Sequence, residues 1–184
     1  MGKIYTEIDA RIRTFIDAQQ MFFVATAPRE ESAHLNISPK GLDTFRVLDA
    51  QTVCYLDYVG SGAETIAHLR ENGRIVIMFC AFQGPPNIVR LHGRGDVIEP
   101  QDLEYAALRP LFPSTVGVRA IIRVRVDRLS DTCGFGVPLY TYEGQRSQLT
   151  DWAGHKGEPA LVQYQEKKNA ESIDGLPALR WVKS

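Results

Sequence analysis

The chain is poor in cysteine and tryptophan and has no surplus of charge of either sign. Its 184 residues hold only three cysteines, Cys54, Cys80 and Cys133, and two of them lie in apolar runs where a thiol serves as a small hydrophobe. An odd, widely spaced set excludes a disulfide framework and points to a reducing, cytoplasmic setting. No apolar run approaches the ~20 residues of a membrane-spanning helix, and MGKIYTEIDARI lacks the apolar core of a secretion signal, so no membrane association is expected. Twenty-one basic side chains against twenty-two acidic ones leave a formal net charge of −1, which provides no field toward nucleic acid. A small molecule and a second copy of the chain are the expected partners.

Familiar chemical signatures are missing too. His34, His68, His92 and His155 are scattered, with no pair at metal-ligand spacing, so no metal site is expected. A nucleophile elbow, a P-loop and a Rossmann fingerprint are also absent, and no side chain marks itself as a catalytic acid or base.

What is present is a core's worth of patterned apolar sequence, 44% of the chain. Ile4, Ile8, Ile12, Phe15 and Ile16 recur at helical spacing and predict one amphipathic helix over 4–19. Strands are predicted over 21–27, 34–38, 44–48, 52–57, 74–82, 88–98 and 118–127, mostly joined by short turns. In 88–98, Val89, Leu91 and Val97 alternate with Arg90, His92, Arg94 and Asp96, while Gly93 and Gly95 would permit a bulge. In 118–127 the same alternation puts Val118, Ala120, Ile122, Val124 and Val126 inward and Arg119, Arg123, Arg125 and Asp127 outward. Shorter helices are predicted over 61–72, closed by Gly73, and over 101–111, 143–153 and 158–167. The fold class is therefore mainly β with helices (α+β), an antiparallel barrel. Residues 1–130 form the barrel, and 131–184 form an extension that wraps its surface or the partner subunit.

The segment from Thr52 to Phe82 reads as strand, Gly60-Ser61-Gly62 turn, helix, strand. Unpaired backbone N–H groups at such a helix start can receive a phosphate. Ser61-Gly62-Ala63-Glu64 equally fits a capping box, in which Ser61 and Glu64 satisfy one another's N–H groups. Both readings stand at this point.

Taken together, Asn36-Ile37-Ser38-Pro39-Lys40-Gly41, Phe45-Arg46-Val47-Leu48 and Tyr55-Leu56-Asp57-Tyr58-Val59-Gly60-Ser61-Gly62 occur in an order and spacing that resembles the pyridoxamine 5′-phosphate oxidase-like family, the flavin-binding split barrels. The resemblance spans roughly residues 5–130. It implies a split β-barrel homodimer that holds FMN between its subunits and performs a redox step on a small molecule. By resemblance, Arg46 faces the flavin, the backbone of Val47 and Leu48 and the strand carrying Asp57 line it, and Ser61 lies near the phosphate.

The Arg-Lys pair that commonly follows that serine is replaced by Gly62-Ala63. A phosphate carries about −1.5 to −2 charges and calls for a substitute cation. Lys40 is the first candidate and Arg90 the second, with a hydroxyl from Thr65; a solvated turn lysine is the plain alternative for Lys40. Arg90-Leu91-His92 is similar to the Arg-x-His element of authentic pyridoxamine phosphate oxidases but lies mid-chain, which speaks against that particular activity. Deazaflavin F420, or haem ligated by His92 or His155, are the alternative cofactors. A flavin-binding module without turnover is the alternative function.

Overall fold

The computed structural model describes residues 2–182. In chain order the elements are β1 (Ile4–Tyr5), α1 (Ala10–Asp17), β2 (Phe22–Thr26), β3 (Asn36–Lys40), β4 (Phe45–Val47), β5 (Thr52–Tyr58), α2 (Glu64–Asn72), β6 (Arg74–Cys80), β7 (Ile88–Ile98), α3 (Leu103–Leu108), a 3-10 turn (Arg109–Leu111), β8 (Val118–Thr132) and α4 (Gln148–Lys168). All strands pair antiparallel in one curled sheet of order β3-β2-β6-β7-β8-β5-β4, with β1 added against β8. The sheet's end strands, β3 and β4, follow one another in the chain. The barrel is thus split between two neighbours joined by the turn through Gly41 and Thr44. Pro39, which cannot donate a ladder hydrogen bond, is tolerated because β3 is an edge.

The single helix expected over 4–19 is instead a strand and a shorter helix. Asp9 accepts from the Ile12 N–H at 2.8 Å and so sets the helix start, while Ile4 and Tyr5 pair with Ser130 and Leu129 of the unusually long β8. Ile12 and Ile16 are the buried face that remains. Of the two helices expected over 143–153 and 158–167, residues 143–147 are irregular and the rest falls in one kinked element, α4, broken at Gly157 and resumed through Pro159.

The inward alternation in β7 holds, and the bulge falls between His92 and Gly93. A Cβ at Gly93 would stand 2.1 Å from the Arg125 carbonyl oxygen, so the close approach of β7 and β8 requires glycine there.

The barrel interior is filled by Val24, Ile66, Ile77, Leu91 and Ile122; Phe45 packs edge-on against Phe22 and Phe79 and Tyr55 against Phe22 at 5.0–5.5 Å, and Phe22 and Phe79 are tilted at 5.6 Å. Cys54, Leu56, Ile98, Phe112 and Ile121 form a second cluster, so β5 is buried on both faces. In a third, Ala153 and Leu161 of α4 pack on Val59 in the turn after β5. Ala178, Leu179 and Val182 join the barrel core. Among the described residues no helix is long and apolar enough to cross a membrane.

Candidate cofactor cleft

The β3 edge, the turn after β5 and the start of α2 surround a cleft of about 1080 Å³, and residues from the stretch 142–149 line its remaining side. Of the residues singled out in the sequence, Lys40, Ser61, Gly62 and Thr65 border it, and Asp57 lies directly behind Lys40.

Lys40 is neither on a turn nor solvated. It ends β3, and its Nζ donates to Asp57 Oδ1 at 2.9 Å. Arg119 Nε donates to the other carboxylate oxygen at 2.7 Å, and its guanidinium also donates to the Gly62 carbonyl at 2.7 Å. Asp57 is fully buried; burial alone would push its carboxyl up, but the Arg119 and Lys40 charges prevail and bring it down to about 2. Two cations therefore border the cleft, both fastened to one ionised carboxylate.

Arg119 was expected on a solvated face and is instead buried. The register of β5 against β8 shifts between Asp57 and Tyr58, beside Arg119, so strict alternation stops being a guide at that end. Two signals were available. Ile121 shares Arg119's place in the alternation and argues for a covered face, and an aspartate in the apolar run of β5 demands a cation.

The Ser61–Glu64 capping box does not form. Ala63 occupies the N-cap of α2 and no side chain caps the helix, while Glu64 Oε1 accepts from the Ile173 N–H at 3.3 Å. The returning C-terminal segment has taken the carboxylate that would have closed the box. The start of α2 thus borders the cleft without a side-chain cap, with Ser61 exposed beside it and the Thr65 hydroxyl held by Asn36 Nδ2 at 3.0 Å.

Asn36 continues a polar seam inward. Ser38 Oγ donates to its Oδ1 at 3.3 Å, and beyond it Thr26 Oγ1 lies 2.9 Å from Nδ1 of the fully buried His68, which burial pulls below the ordinary histidine range.

Arg46, Val47, Leu48 and Arg90 are not among the residues that border this cleft. Arg46 grips Asp43 and donates to the Leu111 carbonyl at 2.8 Å, with its guanidinium 4.9 Å over the Phe112 ring. Together with Val47 it borders a separate hollow of about 280 Å³, and Leu48 borders another of about 560 Å³. Arg90 is on β7 and donates to Thr132 Oγ1 at 3.0 Å. No histidine is among the residues that border the main cleft, and no three His, Cys, Asp or Glu side chains cluster as a metal site would need, among the described residues.

Residues 142–149 were expected as part of a wrapping extension, with a helix starting at 143. Tyr142, Gln145, Arg146 and Leu149 border the cleft. The helix begins only at Gln148, so Tyr142, Gln145 and Arg146 lie in a stretch without regular secondary structure, and Leu149 is in the first turn of α4.

Comparison with known proteins identifies the fold and the family. The family profile described as Pyridoxamine 5′-phosphate oxidase matches residues 8–133. A pyridoxamine 5′-phosphate oxidase family protein of Aspergillus flavus, ustO, is 39% identical over 198 residues, covering 97% of this chain and 78% of that protein. Among solved structures, a HupZ variant from Group A Streptococcus superposes with a TM-score of 0.54 at 21% identity, covering 68% of this chain and 99% of its own. A FAD-binding protein of Mesorhizobium loti gives a TM-score of 0.50 at 13% identity, over 71% and 96% of the two chains. The split-barrel topology, the profile match over most of the chain and the relative at 39% identity together show that this protein belongs to the pyridoxamine 5′-phosphate oxidase family.

Proposed function

We propose that this protein is a flavin-dependent oxidoreductase that binds FMN in the cleft at the start of α2, as a homodimer, and acts on a small molecule. The observation that carries this reading is the cleft itself. Its volume of about 1080 Å³ suits a ligand the size of a flavin nucleotide, and it brings together an uncapped helix start and the Ser61 and Thr65 hydroxyls. The description of the Mesorhizobium loti neighbour as FAD-binding supports the same class of cofactor. When bound, the isoalloxazine supplies the two-electron chemistry, and the chain supplies binding, orientation and exclusion of water.

In this reading the open N–H groups of α2 and the hydroxyls of Ser61 and Thr65 receive the polar end of the flavin. Lys40 and Arg119, fixed by Asp57, set a rigid positive wall, and Leu56 and Val59 provide apolar lining. Because the three charged groups of the wall hold one another, they need no rearrangement when a ligand arrives.

Purified protein should take up FMN, visible as the flavin absorbance bands and identified by mass. A colourless preparation that leaves the fluorescence of added FMN unquenched would refute the assignment. Replacing both hydroxyls, Ser61→Ala with Thr65→Val, should weaken FMN by roughly tenfold, as loss of one or two hydrogen bonds predicts. Dilution below the dimer dissociation constant should release flavin; a monomer that retains it would remove the two-subunit part of the proposal.

A further inference from the structure

The charge around the cleft does not by itself favour a phosphate. Lys40 and Arg119 share Asp57, which leaves one surplus positive charge, and Glu64 on the same lining cancels it. Glu64 stands close to the turn: a Cβ at Gly62 would come within 2.2 Å of its Oε2. A group of about −1.5 to −2 charges entering such a neutral corner would meet a carboxylate with no net counter-charge.

Arg146 changes that balance. It borders the same cleft, is exposed, and among the described residues forms no ion pair. Its place in the cleft is built. The neighbouring Gln145 accepts the Leu42 N–H at 2.9 Å and donates to the Gln20 carbonyl at 2.8 Å, fastening the stretch before α4 to the turn between the two barrel edges. Leu42 is held at φ 62, a left-handed conformation costly for leucine, and the N–H presented there is the one Gln145 takes. A Cβ at Gly41 would lie 2.7 Å from Gln145 Oε1 and would push the amide from this seat. Lining that would otherwise be neutral thus acquires one guanidinium on a fastened strap.

We infer that Arg146 receives the terminal phosphate of the flavin, taking the part of the basic pair that Gly62-Ala63 leaves out; the inference rests on the flavin reading above. A planar guanidinium with several donors is suited to a phosphate, and this one owes nothing to a neighbouring carboxylate. Arg146 lies outside the profile-matched residues 8–133, so the phosphate contact belongs to this chain's own extension. A carboxylate on the substrate would offer Arg146 the same chemistry, and the test separates the two sources.

FMN and riboflavin differ only in the phosphate. Both are titrated into the full-length wild type and into Arg146→Gln, with flavin fluorescence as the readout. The wild type should prefer FMN by about 10- to 100-fold, the range expected of a charge-assisted contact, and added salt should shrink that preference. Arg146→Gln should lose the preference while keeping its riboflavin affinity, and Arg146→Lys should keep part of it. Because Arg146 is exposed and unpaired, the variant's melting curve should match the wild type. Gln145→Ala, which frees the strap without removing charge, should reduce the preference by a smaller factor.

Equal affinity for the two flavins in the wild type, or an undiminished preference in Arg146→Gln, overturns the inference while leaving the flavin reading in place. So does an Arg146→Gln variant in which only binding of carboxylate probes to the flavin-loaded protein is impaired, since the guanidinium then serves the substrate. Failure of the wild type to bind either flavin removes the flavin reading itself.

Discussion

Asp57 and Glu99 are both fully buried carboxylates, and each is held by two cations, but they face different things. Asp57 ties Lys40 of β3 and Arg119 of β8 to β5, and both of its cations border the cleft. Glu99, just after β7, ties Arg70 of α2 to Arg180 near the C-terminus, and it also accepts the Arg180 backbone N–H at 3.2 Å and the Gln101 side chain at 2.7 Å. The first arrangement presents fixed positive charge to empty space. The second closes protein on protein, clamping the last residues to the barrel. A buried ion pair is weak evidence of net stability, since desolvation offsets much of its attraction, so its surroundings are the better guide to its use.

The sharpest break in this comparison comes from Arg119→Met. It leaves the Asp57 carboxylate buried with Lys40 alone, and loss of one partner of such a pair costs about 3–5 kcal/mol. Denaturant unfolding should show that loss, and flavin affinity should fall with it because the cleft wall changes. Replacing the whole group with apolar side chains, Lys40→Met, Asp57→Leu and Arg119→Met together, should recover most of the stability but not the affinity. A cost below about 1 kcal/mol for Arg119→Met would mean that Asp57 is not held as described.

Arg70→Met is the matching change at the other carboxylate. Arg70 also donates to the Ala178 carbonyl at 2.9 Å, so the variant weakens the clamp at two points. About 2–3 kcal/mol is expected, less than at Arg119 because Arg180 and the backbone still satisfy Glu99. Flavin binding should be unchanged, while proteolysis near the C-terminus should quicken. A parallel loss of flavin affinity would show that the two carboxylates are not separate in function.

Acid tests the Asp57 group by another route. The Asp57 carboxyl lies at about 2 in the folded chain against an ordinary 3.8. The unfolded chain thus takes up its proton first as the pH falls. Stability from this group is complete above about pH 5 and is lost as the pH falls through 3.8 to 2, amounting to about 2 kcal/mol in all. An acid titration of unfolding free energy on the wild type and on Asp57→Asn should show that slope in the first and not in the second.

How much of this was legible in the sequence depends on how local the cause is. The β7 alternation and the Gly93 bulge could be read directly because both arise from neighbouring residues. Ile4 and Tyr5 were misread as helix because their partner, the far end of β8, lies more than a hundred residues away. The capping box at Ser61 and Glu64 was locally sound and was displaced by Ile173 of the returning chain. Among the cleft residues, Ser61, Gly62 and Thr65 were singled out at the strand–turn–helix corner, and Lys40 as the substitute cation for a phosphate there. Arg119 was hidden by a register shift, and Arg146 fell in a helix expected over 143–153 that begins only at Gln148.

The smallest effect should come from Arg180→Ala, and its size tests whether the clamp works through side chains or backbone. Arg180 keeps about half of its side chain in water while bonding Asp102 and approaching Glu99 Oε1 to 3.5 Å. Solvent and salt screen such a pair, so about 0.5–1 kcal/mol is expected, decreasing in high salt. The alanine variant keeps the Arg180 N–H on Glu99, and Arg70 remains opposite, so hydrogen exchange over 178–182 should rise only modestly. Exchange there as fast as in Arg70→Met would place the clamp in the Arg180 guanidinium, and the buried carboxylate would then depend on its exposed partner more than on its half-buried one.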